Sequence, residues 1–249
     1  MKASVYSIEG KVLRQIDLPS VFQTPHREDL VKRAVLSEES MLYQPKGNYR
    51  FAGLMSSARY RGRKDDFGAV KNKGIPHLPH EVLPKGGLGK VKRVPHAVKG
   101  RRAHPPKPEK IIVEFMNKKE HALALASALS MSADRKTVCG RIHSEIGVSL
   151  PIVMESGFEK LAKTKEVVKV LEALNLLKFI AKAKKNGTKS PLIVVSGGSI
   201  IKAAANLAGI NVVMVKDLSV KDLAPGTHAG RLTLFSEGAL PEIEKRFSA

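Results

Sequence analysis

The stretch Pro45–Lys110 constrains this chain more than any other, because it interrupts an otherwise ordinary α/β sequence with 66 residues that keep no helical or alternating period. It holds 17 Lys/Arg against four acids (Asp65, Asp66, Glu81, Glu109), with 9 of the 20 glycines and 8 of the 14 prolines. Lacking long apolar runs, it is expected to bury no core of its own. Prolines at 76, 79, 84, 95, 105, 106 and 108 remove backbone donors and push their predecessors toward extended conformations. An insert this long fits a compact domain only as a functional loop or as a segment disordered in isolation. The sequence therefore reads as a body, 1–44 and 111–249, with an arm, 45–110, that becomes ordered on a polyanion.

The formal charge of the chain is +20, and the arm carries +13 of it, leaving +7 on the other 183 residues. Such a balance implies an anionic partner, nucleic acid or an acidic membrane surface. The single cysteine, Cys139, excludes an intrachain disulfide framework and a multi-cysteine zinc site, and fits a reducing compartment. Glu9 arrives too early for a secretory leader, and apolar runs such as LIVV at 192–195 are strand-sized. A soluble, intracellular protein with no membrane partner is expected.

Short strands are predicted at 2–8 and 11–16, followed by a helix over about His26–Tyr43. After the arm, Asn117 and Glu120 have the spacing of a capping box for a helix from Lys118 to about Ala133. Strand candidates then alternate with helices: Thr137–Arg141, Leu150–Glu155, Leu192–Ser196, Asn211–Val215 and Arg231–Phe235, with helices at Phe158–Lys184, Ser199–Leu207 and Gly238–Phe247. Apolar strands separated by helices point to a mainly parallel sheet covered on both faces, an α/β, single Rossmann-like domain carrying a long extended internal loop.

Chemistry concentrates in the arm. Tyr60 sits among Arg59, Arg61, Arg63 and Lys64, with Phe67 shortly after and Tyr43, Tyr49 and Phe51 near the arm's start. Guanidinium groups pair with phosphates in a forked geometry, and planar rings stack on splayed bases. The candidate RNA-binding residues are Lys46, Arg50, Arg59, Tyr60, Arg61, Arg63, Lys64, Lys71, Lys73 and Lys85 on the way out. Lys90, Lys92, Arg93, Lys99, Arg101, Arg102, His104 and Lys107 follow on the way back. A solvated basic linker is the plainer alternative. His77 and His80 have a metal-like spacing, but no cysteine or carboxylate pattern completes a shell, so RNA contact or solvation is the better reading and no metal or cofactor is expected.

In the body, Ser196-Gly-Gly-Ser199 follows a strand and opens a helix, where free amides can receive a phosphate. It lacks the three-glycine fingerprint and the Walker lysine. A tight turn with Ser199 as N-cap is the simpler reading. Cys139 reads as a small buried hydrophobe in a strand. No Ser/His/Asp or paired-carboxylate constellation emerges, so no catalytic residue is assigned. The alternative is an RNA-modifying or nucleotide-dependent enzyme using the Ser196–Ser199 turn, and a third reading is a DNA-compacting protein.

Several ordered segments together resemble the universal large-subunit ribosomal protein L-four family in its archaeal and eukaryotic form. They are DLPSVFQTPHREDLVKRAV (17–35), VKGRRAHPPKPEK (98–110), NKKEHALALASALSMSA (117–133), KTKEVVKVLEALN (163–175) and LAPGTHAGRLTLF (223–235). The resemblance implies a non-enzymatic structural constituent of the cytoplasmic ribosome. Its α/β body would lie on the large-subunit surface and its internal extension in ribosomal RNA, with the tip at the constriction of the peptide exit tunnel. Implied partners are large-subunit ribosomal RNA, neighbouring ribosomal proteins and the nascent peptide. Relatives of this type usually carry a second Gly/Arg/Lys-rich segment before the strand at 191–195; here only Lys182–Lys189 stands there. Two limbs of about 33 residues each would span at most on the order of 100 Å. Ordering them costs roughly 1–2 kcal/mol per residue, so the free arm is expected to be floppy.

Overall fold

The computed structural model describes residues 1–189 and 191–248, and the chain divides into two compact units, Met1–Leu42 with Val113–Ala249, and Tyr43–Ile112. In chain order the elements are β1 (Lys2–Tyr6), β2 (Val12–Asp17), α1 (Glu28–Ser40), β3 (His80–Val82), β4 (Leu88–Val91), α2 (Lys118–Ala133), α3 (Arg135–Ile142) and β5 (Ile152–Met154). They continue with α4 (Thr164–Ala173), α5 (Leu177–Asn186), β6 (Leu192–Val195), α6 (Ile200–Ala204), β7 (Asn211–Met214), α7 (Val220–Leu223), β8 (Thr233–Ser236) and α8 (Ala239–Ser248).

The larger unit is built on a sheet of order β2-β1-β5-β8-β6-β7, antiparallel only between β1 and β2. Side chains alternate across a strand, and here the alternation sorts the core into two layers. Val5, Val153, Leu192, Val194 and Phe235 face one layer, with Val31, Leu129, Val220 and Ile243 from the helices. Ile152, Met154, Ile193, Val195 and Leu234 face the other, with Val138, Val170, Leu171, Phe179 and Ile200. Both faces are covered, which is why the parallel strands read as unbroken apolar runs. The α/β class with a mainly parallel sheet is as the sequence implies.

Helix α2 is buried continuously from Ala124 to Ala133. Its serines are compatible with burial because each has a partner: Ser127 Oγ accepts from the Arg27 N–H at 2.7 Å, and Ser130 Oγ donates to the Thr24 carbonyl at 2.8 Å. The expected capping box does not form. Asn117 makes no side-chain cap bond, and Glu120 lies 3.3 Å from Arg33 instead.

Two further expectations are corrected. Residues 137–141 are helical, within α3, because the Asp134 carboxylate accepts from the Lys136 and Thr137 N–H groups and starts a helix there. A short apolar run cannot by itself distinguish strand from helix. Cys139 accordingly lies on that helix, half-buried rather than in a strand. The long helix expected over 158–184 is a 3-10 turn at Ser156–Lys160 followed by α4 and α5. Asn175, at φ 56°, separates the two helices; left-handed backbone is tolerated best by Gly, Asn and Asp.

Within the unit Tyr43–Ile112, outgoing and returning limbs run side by side. Arg59 and His80 exchange backbone hydrogen bonds, and β3 pairs antiparallel with β4. The limbs touch at Gly53, where φ is +76° and an added Cβ would lie 2.5 Å from the Gly100 carbonyl oxygen. Ala58, Ala69, Val70 and His80 are buried. The stretch thus holds a small core that its sequence did not announce, made by close backbone approach rather than by large aliphatic side chains.

Candidate nucleic-acid interface

The paired limbs determine which cations remain available. Arg61 Nη1 donates to the Phe67 carbonyl at 2.9 Å, and Arg93 Nη1 to the Ala58 carbonyl at 3.1 Å. Lys92 lies 4.0 Å from Glu81, both side chains partly buried. These three brace the arm internally. By contrast Lys46, Arg50, Arg59, Arg63, Lys64, Lys71, Lys73, Lys85, Lys90, Lys99, Arg101, Arg102 and Lys107 are exposed. Their side chains make no hydrogen bond or ion pair among the described residues. His104 is exposed as well, whereas His80 is buried with Nδ1 2.7 Å from the Leu78 carbonyl, so contact with RNA or solvent is not its role.

The rings are exposed too. Tyr43, Tyr49, Phe51, Tyr60 and Phe67 all keep more than half of their surface in solvent, Phe67 78% of it. Tyr49 and Phe51 meet edge-on at 5.8 Å. Tyr60 lies over Gly62 and Phe67 over Gly86, each where a side chain on the glycine would clash with the ring. Apolar faces clustered in solvent among cations have the composition of a surface that is covered by a partner. Stacked bases and paired phosphates are the chemistry this combination can accept.

The Ser196–Ser199 turn in the body is already filled. The Glu159 carboxylate accepts from the Ser196 N–H and Oγ at 2.9 Å and also from Ser236 Oγ. A Cβ on Gly198 would lie 2.3 Å from the Glu159 carbonyl oxygen. Ser199 stands at the N-cap position of α6, as expected, but its side chain makes no capping bond: its Oγ donates to the Lys160 and Leu161 carbonyls. A phosphate entering this turn would meet a carboxylate where it needs donors, so the turn gives no support to a nucleotide-dependent enzyme.

Sequence reasoning missed the charged groups held inside the body. Glu38 accepts from His121 Nε2 at 2.7 Å and from the Val220 and Lys221 N–H groups at 3.0 and 2.8 Å. Burial alone would raise its pKa, but these hydrogen bonds bring it below the ordinary glutamate value. Arg231 is 1% exposed and donates to the Asp222 carbonyl and to Asn211 Oδ1. Burial, with Arg141 nearby, brings its pKa down to about 10 against the attraction of Asp222. The only signal available beforehand was an arginine at the head of an apolar strand run.

Residues 16–246 match the sequence model of the ribosomal protein L4/L1 family. The chain is 43% identical to the large ribosomal subunit protein uL4 of Methanococcus maripaludis, over 99% of this chain and all of the relative. With the same coverage it is 41% identical to that of Methanocaldococcus jannaschii and 37% identical to that of Haloquadratum walsbyi. The fold, the basic arm and these similarities agree: the chain belongs to the ribosomal protein L4/L1 family.

Proposed function

We propose that this chain is a structural constituent of the large subunit of the cytoplasmic ribosome, gripping ribosomal RNA through its arm and lending the arm's hairpin end to the wall of the peptide exit tunnel. Its partners on this reading are large-subunit ribosomal RNA, neighbouring large-subunit proteins and, at the hairpin end, the nascent peptide. One observation carries the reading. Exposed cations whose side chains have no partner among the described residues line both limbs, and exposed rings stand among them along the outgoing limb. Family membership and the names of the relatives support the ribosomal role, and no catalytic group is required for it.

The test is deletion of residues 55–95, which removes seven cations whose side chains have no partner among the described residues: Arg59, Arg63, Lys64, Lys71, Lys73, Lys85 and Lys90. Each phosphate contact contributes roughly 0.7–0.9 to the slope of log affinity against log salt. The slope on large-subunit RNA should therefore fall by about five. An unchanged affinity and slope would refute the role of the arm, and equal affinity for duplex DNA would favour nucleic-acid compaction instead.

A further inference from the structure

The body holds a second basic site, independent of the arm. A cavity of about 680 Å³ lies among α3, the start of α1, α5 and the loop leading to β8. Its lining carries four cations, Arg141, Lys182, Lys189 and Arg231, against one carboxylate, Glu28. Arg141 is half-buried and donates to the His228 carbonyl and, at 2.8 Å, to the Pro225 carbonyl. Those two carbonyls take two of its five N–H donors and do not neutralise its charge. No carboxylate lies within ion-pair distance of Arg141 among the described residues, and burial lowers its pKa. A cation desolvated without a counter-charge is costly, and an incoming anion relieves that cost. Lys182 spends one of its three donors on the Ile142 carbonyl at 2.9 Å, and Lys189 is exposed.

The remaining lining shows that a bare oxyanion is not the best fit. Phe179, Ala183 and Leu232 are nearly fully buried and give the cavity an apolar floor. The volume falls in the range of roughly 300–1,000 Å³ that holds organic ligands, well beyond what one phosphate occupies. A cavity lined by both cations and apolar side chains matches the two chemical halves of a nucleotide.

We propose that this cavity receives one unstacked nucleotide of single-stranded RNA, its phosphate on Lys182, Lys189 and Arg141 and its base on the floor formed by Phe179 and Leu232. The assignment rests on the reading of the chain as RNA-binding and adds a contact made by the body. Gly140 supplies a clean probe: it lines the cavity, and a Cβ built on it meets nothing within 4 Å. Gly140→Phe should fill the site while leaving every cation in place. Replacing a helical glycine also favours the helix, so the variant should fold.

The experiment titrates the full chain with uridine 5′-monophosphate, following backbone amide shifts by NMR, with inorganic phosphate and uridine as comparison ligands. In parallel, an oligouridylate carrying an internal 4-thiouridine is photo-crosslinked and the adducts are mapped. Shifts are expected at 140–143 and 227–232, with phosphate alone and uridine alone each weaker by about tenfold, a ratio worth roughly 1.4 kcal/mol. Gly140→Phe and the double variant Lys182→Gln/Lys189→Gln should each weaken the mononucleotide by about fivefold or more, and should remove crosslinks to the cavity peptides. Phosphate binding as tightly as the mononucleotide would overturn the assignment in favour of a bare anion site. Shifts confined to 45–110, or mononucleotide binding without any oligonucleotide crosslink in the cavity, would overturn it as well. The salt slope of the arm deletion reports on the arm alone, so failure of either reading is seen separately.

Discussion

Glu38 offers the sharpest test of how the body is held together. Its carboxylate, on α1, satisfies the first two N–H groups of the four-residue α7 and the imidazole of His121 on α2, so one side chain joins three helices. A helix start has donors that nothing within the helix can meet. Replacing Glu38 by Ala leaves two such donors and an imidazole without their acceptor. Hydrogen bonds to charged groups contribute about 1.5–3 kcal/mol each, with incomplete additivity, so the loss should be about 3–5 kcal/mol. Glu38→Gln keeps one acceptor oxygen and loses the charge, and should cost about 1–2 kcal/mol. Urea unfolding followed by far-UV circular dichroism measures both. The pH dependence has a definite sign. The folded pKa of Glu38 is lowered, so the unfolded state binds the proton more tightly. The stabilisation is therefore fully present above the unfolded glutamate value of about 4.3 and is lost as pH falls through the lower folded value. The gap between wild type and Glu38→Gln should hold near neutrality and close below about pH 4. An Ala variant within about 1 kcal/mol of wild type, or a gap that widens on acidification, would refute this account.

Other outcomes follow from the same contacts. Gly53→Ala should speed amide exchange throughout 50–60 and 93–102, because the new Cβ would sit 2.5 Å from backbone at Gly100 with φ at +76°; Gly74→Ala, also at positive φ but with open space around it, should change exchange only locally. Neutralising Lys71, Lys73 and Lys90 together should lower the RNA salt slope by about two to three units with unfolding unchanged. Neutralising Arg61, Lys92 and Arg93 should lower it less and increase protease cleavage within 55–95, since these side chains brace the arm. Asp134→Ala should cost about 1 kcal/mol in urea unfolding, the usual loss for an N-cap.

The sheet was legible because its signal is local. Four apolar residues in a row, as in LIVV at 192–195, can be buried on both sides only between two covered faces. The element boundaries that failed were decided by contacts of a different kind. The run at 137–141 became helix through Asp134, three residues ahead of it, and the long helix broke at Asn175, whose backbone left the right-handed region. At Asn117 the capping spacing was present and unused, because Glu120 lies beside Arg33 on α1.

The interface divides along the same line. Net charge is a sum over the sequence, so +13 in 66 residues carries the proposal of a polyanionic partner for the arm whatever its conformation. Which cations are already engaged is not a sum, and it depends on acceptors that every residue carries. Arg61 and Arg93 are held by the carbonyls of Phe67 and Ala58, and any residue in those positions would offer the same oxygen. The sequence leaves no trace of such a bond. The glycines carry the complementary information: Gly53 permits the limb contact that brings Gly100 and Arg101 alongside, and Gly86 leaves room for the exposed ring of Phe67. A basic arm of this composition is thus a scaffold as well as a charge reservoir, and on the proposed function the part left to bind is what remains after the scaffold has taken its share of arginines.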